Sequence, residues 1–524
     1  MEENQGIQLK LSKFKSNFRT DFSAGFLVFL LALPLSLGIA KASGFPASMG
    51  VLTAIIGGIF TLFFKVSELS IKGPAAGLIT ICAAAITEFG GGIIGWQTVC
   101  AVIVVMAIIQ MLLGFLRLGG LSDFFPHVAV HGMLAAIGII IIIKQIPVLL
   151  GVSPDVYGGK SIFDLIRAIP TFISNAHTKV ATIGVLSLIV LFGLPFVKNR
   201  FSKKIPAPLI VLFIAMPLAI LWNFKGNEPE HVLVVIGDFW GSLAINADFS
   251  SMFTFPFWKY VVMFLFVSSL ESLLTVKAID NLDPQKRQSN YNGDLIGQGA
   301  GNVVSGIFGG LPMISEVVRS SANIGYGARS KWSNFFHGIF LLIAMLFIIP
   351  LIELIPNTAL AAMLIFAGYR LSAPKEFITT YKIGKEQLAI FVVTIVITLL
   401  KDLLIGIFAG ILLKLIIHLF NGVRFANFFK VHLVILNKKN EVCIKLEKAA
   451  VFSNIVSFKK QTKDVKDSDK LVVDFSNSSY VDHSFLDFIF RYQTIQKSKN
   501  KEVNIIGLEK LRSFSTHPMS TKKA

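Results

Sequence analysis

The sequence predicts a polytopic α-helical membrane protein, with about 14 segments in a seven-plus-seven inverted repeat, followed by a small α/β domain. Three observations support this fold class. Hydrophobic residues make up 54% of the chain and charged residues only 15%, whereas soluble domains average about 25% charged residues. Apolar runs of membrane-spanning length recur through residues 21–425. Two of these runs are broken by glycine and proline, one in each half of the apolar region.

The apolar segments follow a polar and basic N-terminal stretch, residues 1–20, that leads directly into the first of them. The intact segments are predicted at 22–40, 46–64, 96–116, 128–150, 179–197, 206–223, 258–276, 292–308, 333–352, 357–371, 386–400 and 402–420. The two broken segments lie near 74–88 and 313–326, and some segments are shorter than a full crossing. The pattern indicates an integral, multi-pass membrane protein surrounded by lipid.

The charges of the loops predict the orientation of the chain, because cytoplasmic loops carry an excess of lysine and arginine. The loops after even-numbered segments are basic: Lys198, Arg200, Lys203, Lys204, Lys277, Lys286, Arg287, Arg329, Lys331, Lys375, Lys382 and Lys385. The loop at 224–257 follows an odd-numbered segment and instead carries Glu228, Glu230, Asp238 and Asp248. We therefore expect both termini on the cytoplasmic side of a bacterial-type inner membrane. The net charge of +18 then reflects this orientation and not nucleic-acid binding.

The two broken segments share one design. The stretch 72–77 (Lys-Gly-Pro-Ala-Ala-Gly) interrupts the third segment, and 309–312 (Gly-Gly-Leu-Pro) interrupts the tenth. Each break is followed by a short helix that starts near the bilayer midplane, where free N–H groups and the helix dipole attract anions. Matched interruptions in two halves are typical of a transporter's binding site. Because glycine and proline are common in membrane helices, coincidence is the alternative.

The residues around both breaks form the predicted anion site. Backbone N–H groups after Pro74 and Pro312 are expected to hold a small anion. The residues expected to line this site are Gly73, Pro74, Ala75, Ala76, Met313, Ile314 and Ser315. Arg319 would supply a fixed positive charge nearby. The alternative for Arg319 is that it snorkels to the inner interface or pairs with a carboxylate.

A cation site is predicted in the eighth segment. Glu271 and Thr275 are four residues apart and share a helix face, with Ser268 one turn earlier. A carboxylate with hydroxyl groups suits Na⁺ or a titrating proton, and charged residues in membrane segments usually face a functional cavity. The alternative is a structural hydrogen bond to a neighbouring helix. Na⁺, held by Glu271 and Thr275, would be a coupling ion, and no other cofactor is expected.

Glu316 is predicted in the first turn of the short helix that also attracts the anion. A carboxylate at this position complements the helix dipole, which is the structural interpretation. An ionised Glu316 would also repel a substrate anion, and a bound cation would cancel that repulsion. We therefore hypothesise that cation binding near Glu316 and Glu271 makes anion binding possible.

The composition changes near residue 430, and residues 430–524 are predicted to form a separate, short α/β domain. Strands are predicted at 431–436, 442–446, 470–475 and 502–507, and helices at 453–465 and 484–499. The tail at 516–524 is predicted to be disordered. No nucleophile–base pair, nucleotide-binding loop or metal-ligand spacing is visible in the sequence, so an enzyme is not expected.

Several motifs, in this order along nearly the whole chain, resemble the SulP (sulfate permease) family of inorganic anion transporters. The first is the proline-centred stretch 32–40, and the second is Gly-Pro-Ala-Ala-Gly at 73–77. The most specific resemblance runs from Asp294 to Arg329, with Gly-Gln-Gly-Ala-Gly-Asn at its start and Arg-Ser-Ser-Ala-Asn from Arg319. Residues 472–475 and 481–484 resemble the STAS domain that follows the membrane part in this family.

The resemblance implies a fold of the uracil-permease type, in which a core domain carries the substrate past a gate domain in an elevator-type movement. It also implies a homodimer that transports a small inorganic anion such as sulfate or bicarbonate, and a STAS domain that can bind a cytoplasmic partner. In sodium-dependent bicarbonate members, an acidic residue and a threonine that Glu271 and Thr275 match help to hold Na⁺. Ser484 matches a serine that is phosphorylated in some STAS relatives, and a helix cap is the alternative role.

The chain departs from the family pattern at Ser315 and Glu316, where many members have small residues. This departure favours Na⁺- or H⁺-coupled symport of a small oxyanion, with bicarbonate ahead of sulfate. The alternatives are a proton-coupled sulfate permease or an anion exchanger and, from another functional class, an anion channel gated by the STAS domain. The motif around Arg319 disfavours a nucleobase permease.

Overall fold

The computed structural model describes residues 2–120, 125–158, 160–196, 205–227, 230–237, 239–401, 403–438, 441–462, 465, 470–497 and 501–524. The predicted basic loop at 198–204 and the acidic residues Glu228 and Asp238 lie outside these ranges. The chain forms two compact units. The first comprises Met1–Gly119 and Gly138–Arg370, and the second comprises Gly120–Ile137 and Leu371–Ala524. The predicted anion and cation residues lie in the first unit, and Ser484 lies in the second.

Each predicted apolar segment contains a helix. In chain order the helices before the C-terminal domain are α1 (Glu2–Ala42), α2 (Ala47–Ile59), α3 (Ile79–Glu88), α4 (Gly92–Phe115), α5 (His127–Leu149), α6 (Pro154–Tyr157), α7 (Ile162–Arg167), α8 (Ile169–Ser174), α9 (Thr178–Gly193), α10 (Ala207–Leu221), α11 (Phe224–Asn227), α12 (Phe255–Leu282), α13 (Tyr291–Ile307), α14 (Val317–Gly325), α15 (Trp332–Phe347), α16 (Ile349–Ile352), α17 (Asn357–Leu371), α18 (Pro374–Ile383), α19 (Lys385–Leu400) and α20 (Leu403–Phe420). Within the described ranges, α1, α4, α5, α12 and α20 are long and apolar enough to cross a membrane, and α2, α3, α9, α10 and α15 are shorter apolar helices.

The third and tenth segments are broken where the sequence places their glycines and prolines. β1 (Lys72–Pro74) and β2 (Met313–Ser315) are extended and pair antiparallel, with Gly73 opposite Ile314. The helix of the tenth segment begins later than the break at Pro312 suggests, because residues 313–315 pair with β1 and α14 starts only at Val317. Two short helices, α3 and α14, therefore lead away from one crossing of extended strands.

One face of α13 fixes the position of β2. The side-chain N–H groups of Gln298 and Asn302 both donate to the carbonyl of Met313, at 3.0 and 3.2 Å. Asn302 Oδ1 also accepts the backbone N–H of Met313 at 2.6 Å. Ser305 Oγ donates to the carbonyl of Leu311 at 2.7 Å. Polar groups spaced along one helix face thus satisfy backbone groups that the break removes from a helix.

The C-terminal domain is a mixed sheet with helices, as the alternating pattern predicts. Its described elements are β3 (His432–Lys438), β4 (Glu441–Ala450), α21 (Ile455–Gln461), β5 (Lys470–Val481), α22 (His483–Lys497), β6 (Glu502–Ile506), β7 (Arg512–Ser513) and β8 (Lys522–Lys523). The strand order is β3-β4-β5-β8-β7, with β6 pairing to β5. The prediction of a disordered tail at 516–524 is wrong, because β8 pairs with the end of β5 through Lys522 and Val481.

Candidate functional site

Arg319 is fully buried at the crossing of the two broken segments. Its side chain is 0% exposed, and none of its three guanidinium nitrogens has a hydrogen-bond partner among the described residues. Gly73 provides space for the guanidinium, because a Cβ at Gly73 would lie 2.5 Å from Nη1. A guanidinium remains charged in proteins, and a buried charge with unused donors is costly unless a counter-charge reaches it. Arg319 is therefore suited to bind an anion.

A buried ion pair that the sequence analysis missed lies at the crossing of β1 and β2. Lys72 Nζ is 2.7 Å from both carboxylate oxygens of Asp294, and the two side chains are 0% and 1% exposed. The same Nζ donates to Ser315 Oγ, and the backbone N–H of Ser67 donates to Asp294 at 3.1 Å. The pair thus joins β1, β2 and α13. Lys72 stands directly before the Gly-Pro break, so an ionisable residue in an apolar segment was the available signal.

The residues predicted to line the anion site differ in accessibility. Gly73, Pro74, Ala75 and the three residues of β2 are buried, whereas Ala76 is half-buried. The N–H groups of Met313 and Ser315 are already bonded, the latter to Ser272 Oγ at 3.0 Å. The side chain of Ser315 is likewise engaged by Lys72. The backbone donors expected in β2 are therefore used within the fold.

The free backbone donors lie one turn further along, at the start of α14. The N–H groups of Val317 and Val318 have no acceptor in the described part of the chain, and Val317 is 45% exposed. Sequence analysis did not single out these residues, because it placed the helix start nearer to Pro312. Val317 and Val318 directly precede the buried Arg319, so these N–H groups lie at the start of the helix that carries the guanidinium.

Glu316 is the N-cap of α14. Its Oε2 accepts the backbone N–H of Arg319 at 2.8 Å and lies 3.9 Å from Arg319 Nε. The side chain is 14% exposed. This geometry agrees with the interpretation that the carboxylate complements the helix start. It also places a negative charge 3.9 Å from the buried guanidinium of Arg319.

The Glu271 carboxylate lies against the start of the third-segment helix. Glu271 is half-buried, and its Oε2 has no hydrogen-bond partner among the described side chains and backbone groups. A Cβ at Gly77 would lie 2.7 Å from Glu271 Cδ, so the glycine provides the space for the carboxylate. Thr275 lies one turn along α12 and is buried. The fold thus brings a carboxylate with an unused oxygen next to the crossing.

The hydroxyl group of Ser268 takes part in hydrogen bonds to neighbouring helices. Its Oγ accepts N–H groups from Gln298 at 2.9 Å and Gln110 at 3.4 Å. This agrees with the structural alternative for the hydroxyl face of α12. Among the predicted cation residues, Glu271 therefore offers an unused carboxylate oxygen, Oε2, that can coordinate a cation.

Ser484 belongs to a buried polar cluster in the second unit. It is 2% exposed, and its Oγ accepts from Lys414 Nζ on α20 at 2.8 Å. The same Nζ is 3.0 Å from Asp482 Oδ2, and both of these side chains are 0% exposed. His418 Nε2 lies 3.5 Å from that oxygen. The last apolar helix is thereby joined to the C-terminal domain by a buried ion pair.

Asp482 caps the N-terminus of α22, and a helix cap is the alternative role that the sequence analysis gives for this stretch. Its Oδ1 accepts the N–H of Phe485 at 2.7 Å, and its Oδ2 accepts the N–H of Phe452 at 3.0 Å. Burial by itself raises the pKa of the Asp482 carboxyl, but Lys414 and His418 hold this pKa below its ordinary value. The enclosed hydroxyl of Ser484 is not accessible to a modifying enzyme in this conformation.

We predict that Gly77→Ala lowers uptake of a small oxyanion about tenfold or more, because the new methyl group must displace the Glu271 carboxylate. Overpacking of this kind costs about 1–3 kcal/mol. Gly325→Ala in α14 is the matched control, because a Cβ there meets no atom within 4 Å. Uptake by both variants should be measured at equal protein amounts in reconstituted vesicles. Equal uptake by the two variants would contradict the assigned position of Glu271.

We predict that Ser484→Asp lowers thermal stability by several degrees, because it adds a buried carboxylate beside Asp482. Ser484→Ala removes one hydrogen bond and leaves the Lys414–Asp482 pair, so its effect should be small, about 1 kcal/mol. The measurement is thermal unfolding of the detergent-solubilised full chain. Wild-type stability of the aspartate variant would show that this cluster opens freely.

Comparison with known proteins places this geometry in a family. The profile of the Sulfate permease family matches residues 18–394. YvdB of Bacillus subtilis (strain 168), which its name assigns provisionally to sulfate transport, is 27% identical over 411 residues, 76% of this chain and 73% of that protein. The bicarbonate transporter BicA of Picosynechococcus sp. (strain ATCC 27264 / PCC 7002 / PR-6) is 25% identical over 407 residues, 75% of this chain and 69% of that protein.

A solved structure shares the fold over nearly the whole chain. The overall structure of SLC26A9 superposes with a TM-score of 0.66 at 15% identity, covering 97% of this chain and 89% of that one. This coverage includes the C-terminal sheet, which is consistent with the predicted STAS domain. The crossing of two broken segments, the arginine beside it and the family match lead to one conclusion: this chain belongs to the sulfate permease family of membrane anion transporters and is not an enzyme.

Proposed function

We propose that this protein is a Na⁺- or H⁺-coupled symporter of a small oxyanion, bicarbonate ahead of sulfate. The observation that carries the proposal is the buried Arg319 guanidinium, whose nitrogens have no hydrogen-bond partner in the described structure. Gly73 lies against this guanidinium, and the free N–H groups at the start of α14 belong to the two residues before Arg319. These groups offer one full positive charge and a helix start, which together suit a small anion.

The buried charges at the crossing support cation coupling. Lys72 neutralises Asp294, and Arg319 lies 3.9 Å from Glu316, whereas Glu271 has no cationic partner within the described ranges. If all five groups are ionised, two positive and three negative charges leave a net charge of −1. An anion that enters this site meets an excess of negative charge. A cation held by the unused Glu271 oxygen brings the sum to zero and removes that opposition.

The same charges favour a monovalent substrate. With one cation bound, a bicarbonate ion takes the site to −1, whereas a sulfate dianion takes it to −2. Each additional unpaired charge in a buried site costs several kcal/mol. BicA, a relative of this chain, is named as a bicarbonate transporter, and YvdB is named for sulfate. The charge balance is the physical reason to place bicarbonate first.

The groups of this chain have separate roles in the proposed cycle. Glu271 and Thr275 hold the coupling cation, which cancels the charge that faces the anion. Arg319 then pairs with the anion and not with Glu316, while the N–H groups of Val317 and Val318 orient it. Lys72 and Asp294 keep the crossing fixed while the core moves, in an elevator-type movement, between the two faces of the membrane.

The proposed organisation follows the sequence prediction. Residues 1–20 are a cytoplasmic N-terminal segment, residues 21–425 are the transport domain and residues 430–524 are a STAS domain. Both termini lie in the cytoplasm of a cell with a bacterial-type inner membrane, and two copies form a homodimer. The STAS domain regulates transport or binds a cytoplasmic partner, and it does not select the anion.

Two other functions have a specific observation in their favour. Sulfate relatives in the family support a proton-coupled sulfate permease or an exchanger. The Lys414–Asp482 link between α20 and the C-terminal domain would suit a STAS-gated anion channel. Flux of labelled bicarbonate and sulfate into proteoliposomes, each with and without Na⁺ and pH gradients, separates the three. Accumulation against the anion gradient excludes a channel, and its dependence on Na⁺ or pH identifies the coupling ion.

We predict that Glu271→Gln abolishes cation-driven accumulation of the anion while leaving the protein folded, because the amide removes the charge that holds the cation. Glu376→Gln on α18 is the control, since it makes the same acid-to-amide change in the second unit. Accumulation should be measured with and without the cation gradient. Wild-type cation dependence in Glu271→Gln would rule out this residue as the cation site.

We predict that Glu316→Gln binds the anion without the cation, because its amide oxygen can still cap α14 while the charge next to Arg319 is lost. Removing one nearby charge should raise cation-free affinity by about ten- to a hundredfold. Glu316→Leu, which also loses the cap, separates the charge effect from the folding effect. Anion affinity should be measured at zero and saturating Na⁺ and across pH. If Glu316→Gln keeps the wild-type cation dependence, its coupling role is wrong.

A further inference from the structure

The first unit contains a cavity of about 690 Å³ at the opposite end of α3 from the crossing. The ends of α1, α3 and α5 and the start of α17 line it, within residues 38–364. The loop charges predict that this is the outer face of the membrane. The volume has room for about twenty water molecules, so a small oxyanion can enter it with its hydration shell.

Positive side chains line this cavity without partners. Lys41, Lys144 and Lys160 all contribute to the wall, and none of the three makes an ion pair within the described part of the chain. Glu88 is the acidic residue of the wall, and its Oε2 accepts from Lys259 Nζ and from Tyr260 Oη, both at 2.7 Å. The carboxylate is therefore compensated locally. The cavity keeps an excess of positive charge.

The position of Lys41 at the end of a helix explains its charge, but the same explanation does not apply to Lys144. Lys41 lies in the last turn of α1, where a cation complements the dipole. Lys144 lies inside α5, five residues before its end at Leu149, and is half-buried beside the buried Gln145. A lysine that snorkels to lipid would not line an internal cavity with a buried glutamine. Lys144 therefore places a positive charge in the cavity wall, which suits an anionic occupant.

We propose that this cavity is a capture site for small oxyanions, in which Lys41 and Lys144 draw the substrate from the outer solution before it reaches the crossing. The proposal rests on the proposed function and adds a second, weaker anion site to it. A cleft with one sign of charge and low-dielectric walls raises the local concentration of the opposite ion. Such a site acts on entry of the anion and makes no contribution to the transport step itself.

The cavity lysines lie far from the charged residues at the crossing of β1 and β2. The ten residues of α3 span about 15 Å from the crossing to Glu88. Lys41 is exposed, and salt screens an exposed charge over about 8 Å at physiological ionic strength. Distance weakens the direct effect of both lysines on the charges around Arg319 and Glu271, so the lysines act mainly on how often an anion arrives.

The test compares Lys41→Gln and Lys144→Gln with wild type in cells, where uptake starts from the outer face, and in inside-out vesicles, where it starts from the inner face. Labelled bicarbonate and sulfate are the probes. We expect each change to raise the apparent KM for uptake in cells about three- to tenfold, with an unchanged maximal rate and unchanged cation dependence. Lys41→Arg and Lys144→Arg should restore the wild-type KM, and high ionic strength should remove the difference.

Lys225→Gln is the matched control, because Lys225 belongs to the short helix α11 and is not among the residues that line the cavity. A wild-type KM in both cavity variants would overturn the proposal, and so would an equal KM increase in Lys225→Gln, which would indicate surface charge in general. An equal change of KM in inside-out vesicles would overturn it as well. Failure of the proposed function is distinguishable, since it would appear as cation-independent transport with Glu271 intact.

Discussion

The buried ion pair between Lys72 and Asp294 fixes the arrangement on which the rest of the site depends. It ties the strand of the third segment to α13, and through Ser315 it also holds the strand of the tenth. A lone ammonium or carboxylate at this depth would be strongly destabilising, so each charge requires the other. Because α14 begins just after these strands cross, the ion pair also helps to position the free N–H groups of Val317 and Val318.

Glycine residues at this crossing provide the space that its charged side chains occupy. Gly73 leaves room for the guanidinium of Arg319, and Gly77 leaves room for the carboxylate of Glu271. The breaks in the two segments thus do more than interrupt helices, since they let backbone and ionised side chains approach closely. The result is a site in which, among the described residues, Asp294 and Glu316 have cationic neighbours and Glu271 does not.

The C-terminal domain is joined to the last apolar helix by the same kind of interaction. Lys414 and Asp482 are both fully enclosed, and His418 packs between the aromatic rings of Phe452 and Tyr480. A buried pair with aromatic packing ties α20 to the β-sheet within the second unit. Events in the C-terminal domain can therefore reach this helix directly, whereas the residues around Arg319 belong to the first unit.

Sequence alone determined the class of protein and the position of the two breaks, and it singled out Arg319, Glu271 and Glu316 as ionisable residues in apolar segments. Those features follow from hydropathy, from glycine and proline, and from the cost of charge in apolar segments, all of which are local. Only the tertiary structure decided which partner each charge has. Lys72 and Asp294 are 222 positions apart, and β2 becomes a strand because β1 lies beside it. Contacts between such distant residues leave no periodic pattern, so only the fold shows that the backbone donors of β2 are used and those of α14 remain free.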